Sequence, residues 1–330
     1  MKRGKGFLVG YLVVVVGFIG WQLSSLYLRV RRVETLAAQP QVAGAHTTPS
    51  LEEIPPLPDY PVLTTTAPTF AARHYVLYDV DSNEFLIEKD ADTPVPLAST
   101  SKIMTSLITI EQGNLDDVTT VDAKAAATIG STAGLRTNEK LTVRSLLYCA
   151  LLQSGNDAAF SLANYIGSTA IGDDSHADFD TAVSHFVAIM NQKARDLNLT
   201  TLSFDDPSGL SEKNVGSAHD MALLAKNALQ NSTFKAFVST PEKTVASVDG
   251  TLTHELKNSN RLVGEWQYQG AIGVKTGFTP EAGHNLVAAA TRNGHTLLAV
   301  VFNTYSTTVT ASAEVARNLL DFGWQSIEWR

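Results

Sequence analysis

A serine and a lysine three residues apart, Ser99 and Lys102, stand in the stretch Pro96-Leu97-Ala98-Ser99-Thr100-Ser101-Lys102-Ile103-Met104-Thr105. If the stretch opens a helix, side chains three apart share a face, and hydroxyl and amine enter one cleft. A serine hydroxyl attacks a carbonyl only when a base takes its proton, and a lysine is that base only when its amine is neutral near neutral pH. Burial lowers a lysine pKa, and so does a second positive charge nearby. Lys275, in Lys275-Thr276-Gly277, is a candidate for that second charge. A helix start adds free N–H groups and a dipole that favour negative charge developing at Ser99. Ser154-Gly155-Asn156 completes the polar set. Singly, each cluster has a plainer explanation: a chance four-residue match, a helix cap and a strand running into a turn. Chance is a poor account of all three in this order and spacing.

Three kinds of element must position them. The spacing predicts a helix from about Ser99 to Gln112, with Ile103, Leu107 and Ile110 on one face and Gly113-Asn114 as its stop. Thr142 starts a helix whose apolar stretch ends at Gln153, and residues 157–165 and 179–197 are helical by spacing, so Ser154 lies at a break between helices. Asp206-Pro207-Ser208-Gly209-Leu210 is a turn, and Ser217-Ala218-His219-Asp220 opens a further helix. Tyr75 to Tyr78 and Phe85 to Ile87 form a hairpin through the turn-rich Asp79 to Asn83. Residues 285–291 and 295–302 are strands joined by Arg292-Asn293-Gly294, and Ala311 to Phe322 closes the chain as a helix. Strands at both ends around a helical middle make an α+β body whose two ends build one antiparallel sheet.

The chain has 330 residues and a formal charge of −8. Residues 1–32 carry six bases and no acid, leaving 19 bases against 33 acids elsewhere, a charge of −14. An acidic body excludes a nucleic-acid partner, which needs clustered bases. Phe7 to Leu28 is free of charge, and its 22 positions span about 33 Å as a helix, enough to cross a membrane. A signal peptide would have a shorter apolar core and a small-x-small site, whereas Arg29-Val30-Arg31-Arg32 follows here. Residues 1–32 are therefore expected to be an uncleaved signal-anchor. Residues 33–68 hold seven of the twelve prolines and are expected to be a linker, with the catalytic body at 69–330. The single cysteine, Cys149, sits in an apolar run and is expected to be a core residue. The eight histidines show no ligand spacing, so neither a metal nor a cofactor is expected.

The motifs resemble those of the serine D-alanyl-D-alanine carboxypeptidases, the low-molecular-mass penicillin-binding proteins. The likeness runs over about residues 71–325. It includes Leu97 to Thr105, Leu152 to Ala159, Asp206 to Leu210 and Gly273 to Thr279, and continues through Glu281-Ala282-Gly283 and Asn285-Leu286-Val287. It implies a β-lactamase/transpeptidase-like fold with a helical region inserted in the sheet. It implies acyl transfer on a peptidoglycan pentapeptide ending in D-Ala-D-Ala, inhibited by β-lactams. Ser99 would attack the penultimate D-alanine carbonyl with Lys102 as base, Ser154 would relay a proton to the leaving amine, and Asn156 would bond Lys102 and the substrate amide. Lys275, Thr276, Gly277, Phe278 and Thr279 would bind and align the substrate, with the N–H groups of Ser99 and Phe278 as the oxyanion hole. The N-terminal segment would replace the C-terminal anchor of some relatives. It would make a single-pass protein of the cell membrane with its catalytic domain on the extracytoplasmic side.

One departure concerns the substrate carboxylate. Relatives often hold it with an arginine between the last strand and the closing helix, and residues 303–313 contain no base. Three rival functions share most of these motifs. A D,D-endopeptidase differs in the bond it selects. A class A β-lactamase requires Glu-x-x-Leu-Asn, of which Ala194-Arg195-Asp196-Leu197-Asn198 keeps only the last two. A wall-binding scaffold would have lost turnover. His219 and His284 lie near motif segments and are expected in packing or solvent roles.

Overall fold

Apolar residues run almost unbroken through 286–290 and 297–302, because the central sheet is covered on both faces. The computed structural model describes residues 60–172 and 178–330, which fall within one unit, Leu57–Arg330. The expected membrane segment, the linker up to residue 59 and the acids Asp173-Asp174 lie outside the described residues. Among the described residues, no helix is long and apolar enough to cross a membrane.

The sheet has five antiparallel strands: β2 (Ala72–Asp79), β3 (Glu84–Lys89), β10 (Ala271–Thr279), β11 (Gly283–Arg292) and β12 (His295–Thr304), ordered β10-β11-β12-β2-β3. The α+β sheet built from both ends of the body is therefore present. Strand alternation sorts its side chains. Leu77, Ala288, Ala299 and Val301 pack with Ala316, Leu319 and Leu320 of the closing helix α8 (Ala311–Ser326), while Val76, Tyr78, Ala289, Val300 and Phe302 face the helical middle. Burying each large apolar side chain stabilises the fold by about 1.5–3 kcal/mol.

The middle comprises α1 (Lys102–Gln112), α2 (Ala123–Ala126), α3 (Val143–Leu151), α4 (Asn156–Ile171), α5 (Phe179–Asp196), α6 (Ala218–Gln230) and α7 (Ser232–Val238). Caps expected from the sequence form at Thr142, whose hydroxyl accepts from Ser145 N–H, and at Ser217, which accepts from Asp220 N–H. Helix α1 is central, packed against α3, α4, α6 and α7 and buried on every side from Lys102 to Thr109. Gly113 ends it for a reason other than left-handed backbone. Its φ is −95°, but a Cβ there would stand 2.8 Å from Thr109 O and 3.0 Å from Ile166 Cδ1. Cys149 is buried, and its thiol is pushed far above the ordinary range by desolvation, so it is inert core.

Short strands supply the remaining links: β4 (Val95–Pro96) with β7 (Val215–Gly216), β5 (Val118–Thr120) with β6 (Lys140–Thr142), and β8 (Glu242–Ala246) with β9 (Thr253–Lys257). The last pair, between the helices and β10, escaped the periodicity argument because only Val245 and Leu256 are buried in it. The folded unit also begins before residue 69. β1 (Pro61–Leu63) pairs with β13 (Ile327–Trp329), so a proline-rich stretch expected as linker is held by the end of the chain. Proline at the start of a two-stranded edge pair leaves its missing N–H without consequence.

Candidate active site

The nucleophile stretch lies between the sheet and the helices. Residues Ala98–Ser101 form a 3-10 turn and α1 begins only at Lys102, so Ser99 precedes the α-helix on which the sequence placed it. The tighter turn keeps Ser99 and Lys102 aligned, because residues three apart eclipse in 3-10 geometry. Ala98 before it takes φ 49°, a left-handed conformation that costs a non-glycine residue about 1–2 kcal/mol. The surroundings hold the turn in place. Asn285 of β11 donates to Pro96 O and Leu97 O while its Oδ1 accepts from Asn303 N–H. Gly277 of β10 lies so close that a Cβ there would be 3.0 Å from Leu97 O and 3.1 Å from Ser99 N.

Lys102 is wholly buried, and its Nζ donates to Ser99 Oγ at 2.9 Å, Asn156 Oδ1 at 2.7 Å and Ser208 O at 2.8 Å. Burial lowers its pKa to about 7, opposed by the carboxylates of Asp206 and Asp157. Desolvation thus does the work that the sequence argument shared with a second cation. Lys275, also buried, is pushed well below the usual lysine range by burial and then by the charge of Lys102. Its Nζ donates to Thr276 O. An amine that is half neutral near pH 7 and bonded to a serine hydroxyl is a general base in position.

Of the other expected residues, Asn156 bonds Lys102 directly, and Thr276 O accepts from Lys275 Nζ. Ser154 is buried at φ 62°, in the break between α3 and α4. Asn156 opens α4 and donates from Nδ2 to Ile129 O, which turns its Oδ1 toward Lys102. Thr276 Oγ1 lies 2.7 Å from Ser259 Oγ in a hydrogen bond. Phe278 is exposed and stacks on His284 at 4.4 Å between ring centroids, and His284 in turn meets Thr307 O. The Thr279 hydroxyl accepts from Ala282 N–H in the β10–β11 turn. His219 stacks on Phe85. Among the described residues, no cluster of His, Cys, Asp and Glu could hold a metal.

Residues 62–306 match the sequence profile of the D-alanyl-D-alanine carboxypeptidase family. This chain belongs to that family. It is 36% identical over 279 residues to the D-alanyl-D-alanine carboxypeptidase of Streptomyces sp. (strain K15), covering 80% of this chain and 91% of that one. The crystal structure of the Streptomyces K15 DD-transpeptidase is similar at TM-score 0.72 and 34% identity, over 79% of this chain and 100% of that one. The D-alanyl-D-alanine endopeptidase of Pseudomonas aeruginosa is 32% identical over 238 residues, 71% of this chain and 72% of its own. The protein is therefore a serine-type peptidase with the penicillin-binding/β-lactamase fold.

Within this D-alanyl-D-alanine carboxypeptidase frame, three positioning residues went unassigned in the sequence argument. Asp206 accepts from the Ser208 and Gly209 N–H groups at Oδ1 and from Ser211 N–H at Oδ2, which presents Ser208 O to Lys102. Gly209 makes that turn possible. It has φ +83°, and a Cβ would lie 1.8 Å from Ala98 O. Asp157 binds Ala133 N–H and Leu135 N–H, fixing the loop whose Ser131 O accepts from Asn156 N–H. An acid followed by Pro-Ser-Gly, and an acid just inside a helix start, are visible in the sequence. Which backbone they hold is a tertiary matter. The Ala194 to Asn198 segment ends α5 and carries no glutamate, so the water-activating element of a class A β-lactamase is not formed there.

Proposed function

We propose that the protein removes the terminal D-alanine from peptidoglycan stem peptides through an acyl-enzyme on Ser99, as a carboxypeptidase tethered to the membrane. The observation that carries this reading is the three-way bonding of buried, near-neutral Lys102 to Ser99, Asn156 and Ser208. Neutral Lys102 takes the Ser99 proton as Oγ attacks the penultimate carbonyl. The tetrahedral oxygen meets the N–H groups of Ser99 and Phe278, which the close approach of Gly277 to Ser99 N brings together. Ser154 passes a proton to the leaving D-alanine amine. The substrate backbone runs along β10, an edge strand of the sheet, as an added strand. Water then hydrolyses the ester with Lys102 again as base. Penicillin enters the same path and stops at the acyl-enzyme.

The uncharged Phe7 to Leu28 segment supports a single-pass anchor, and the proline-rich stretch after it supports a tether that carries the catalytic unit away from the bilayer. The substrate then requires the extracytoplasmic side. Mass spectrometry of a muropeptide ending in D-Ala-D-Ala should show loss of one alanine with the purified full-length protein and none with Ser99→Ala. Identical spectra would overturn the reaction, and cleavage of cross-linked dimers in preference to pentapeptide would replace it with the endopeptidase. Removing residues 1–32 should move the protein from the membrane to the soluble fraction. Equal membrane retention would contradict the anchor.

A further inference from the structure

Beyond Thr276 the site continues into a cavity of about 960 Å³. Ser131 and Gln153 line it, as do Ser259 and Arg261, with Lys257 from the end of β9 and Val309 from the loop after β12. The Ser259–Thr276 hydroxyl pair joins this space to the active-site strand. Resting on the carboxypeptidase reading, the leaving residue carries a free carboxylate one residue beyond the scissile carbonyl. That anion needs a cation within reach of Thr276.

The residues that could supply one are few. The loop 303–313, which contributes Val309 to the cavity, contains no Lys, Arg or His. Lys275 is buried and its Nζ is engaged by Thr276 O, while burial and Lys102 both disfavour its charge. Lys257 and Arg261 are the bases lining the cavity, and the acids Glu242 and Glu265 line it too. Lys257 is exposed, so water screens it. Arg261 is different. Its side chain is 30% exposed, it stands two residues from Ser259, and at rest its guanidinium pairs with Glu265, itself 64% exposed. A guanidinium keeps its charge at any pH compatible with folding and offers parallel donors to both oxygens of a carboxylate. Exchange of Glu265 for a substrate carboxylate replaces one such pair by another.

We propose that this cavity is the subsite for the substrate's terminal carboxylate, and that Arg261 is its counter-ion, assisted by the hydroxyls of Ser259 and Thr276. The reading makes Arg261 a specificity-determining residue for free-acid peptides.

The test uses the full-length protein, an N-acetylated tripeptide ending in D-Ala-D-Ala, and the same peptide as its C-terminal amide. Release of D-alanine or D-alaninamide is followed for wild type, Arg261→Ala and Arg261→Lys. Wild type should prefer the acid. In Arg261→Ala, kcat/KM on the acid should fall about tenfold or more, mainly through KM, with the amide unchanged within about twofold. Arg261→Lys should recover part of the loss. A matching fall on both substrates would mark Arg261 as structural only, and no fall on the acid would place the carboxylate elsewhere; either overturns the inference while leaving the carboxypeptidase reading intact. Wild type that releases product from neither peptide would overturn both.

Discussion

Changing pH should switch the Ser99 nucleophile with a midpoint set by Lys102. A lysine at its ordinary value of 10.5 is neutral in about one molecule in 3000 at pH 7, whereas one at about 7 is neutral in half. Burial therefore supplies base more than a thousandfold, at a cost to the charged folded state of about 5 kcal/mol. The second-order rate of acylation by a penicillin should rise tenfold per pH unit below pH 7 and level off above it, because only the deprotonated amine accepts the serine proton. Stability carries the same signature. The folded-state pKa lies below the unfolded one, so between pH 7 and 10.5 the unfolded chain binds the extra proton. Folding free energy then grows with pH by about 1.4 kcal/mol per unit, and the contribution is flat below pH 7, where both states are protonated. Urea melts across that range, comparing Lys275→Met with the double variant Lys102→Met/Lys275→Met so that the neighbouring amine is absent from both, isolate the slope. An acylation limb near pH 10, or a difference in stability that does not vary with pH, would refute the argument.

Four substitutions probe the supports. Asn156→Ala removes an acceptor from the Lys102 ammonium and should lower acylation about a hundredfold while moving the acid limb below pH 7; a limb that moves upward contradicts the bonding described. Gly277→Ala places a methyl 3.0 Å from Leu97 O and 3.1 Å from Ser99 N, so fluorescent-penicillin labelling should slow about tenfold or more with a melting shift of only a few degrees. Gly209→Ala adds a clash with Ala98 O at a φ that alanine disfavours, and urea melts should show about 2–4 kcal/mol lost. Trp329→Phe deletes the Nε1 donor to Asp79 Oδ2, 2.8 Å away, and should cost about 1 kcal/mol, seen as an earlier midpoint in denaturant.

The expected catalytic set was legible in the sequence because it rests on short-range rules. Three-residue spacing aligns Ser99 with Lys102 whether the turn is α or 3-10, and a helix break at Ser154 is announced by the end of one apolar period and the start of another. The central strands were legible for a related reason. Their apolar runs and the Asn293-Gly294 turn are local, and Asn293 and Gly294 both take positive φ as a tight hairpin requires. What the chain order could not show was which distant groups meet. Pairing of β1 with β13 joins residues more than 260 positions apart, and the β8–β9 hairpin buries too little to leave a period. The depressed pKa of Lys102 depends on the helices and sheet that exclude water from around it. Ser208 O reaches that amine only because Asp206 curls its own loop over Ala98. Sequence alone set the three-residue spacing of Ser99 and Lys102 and the apolar strand runs that back them. Tertiary structure decided the electrostatics, since desolvation and long-range contact are properties of the packed chain.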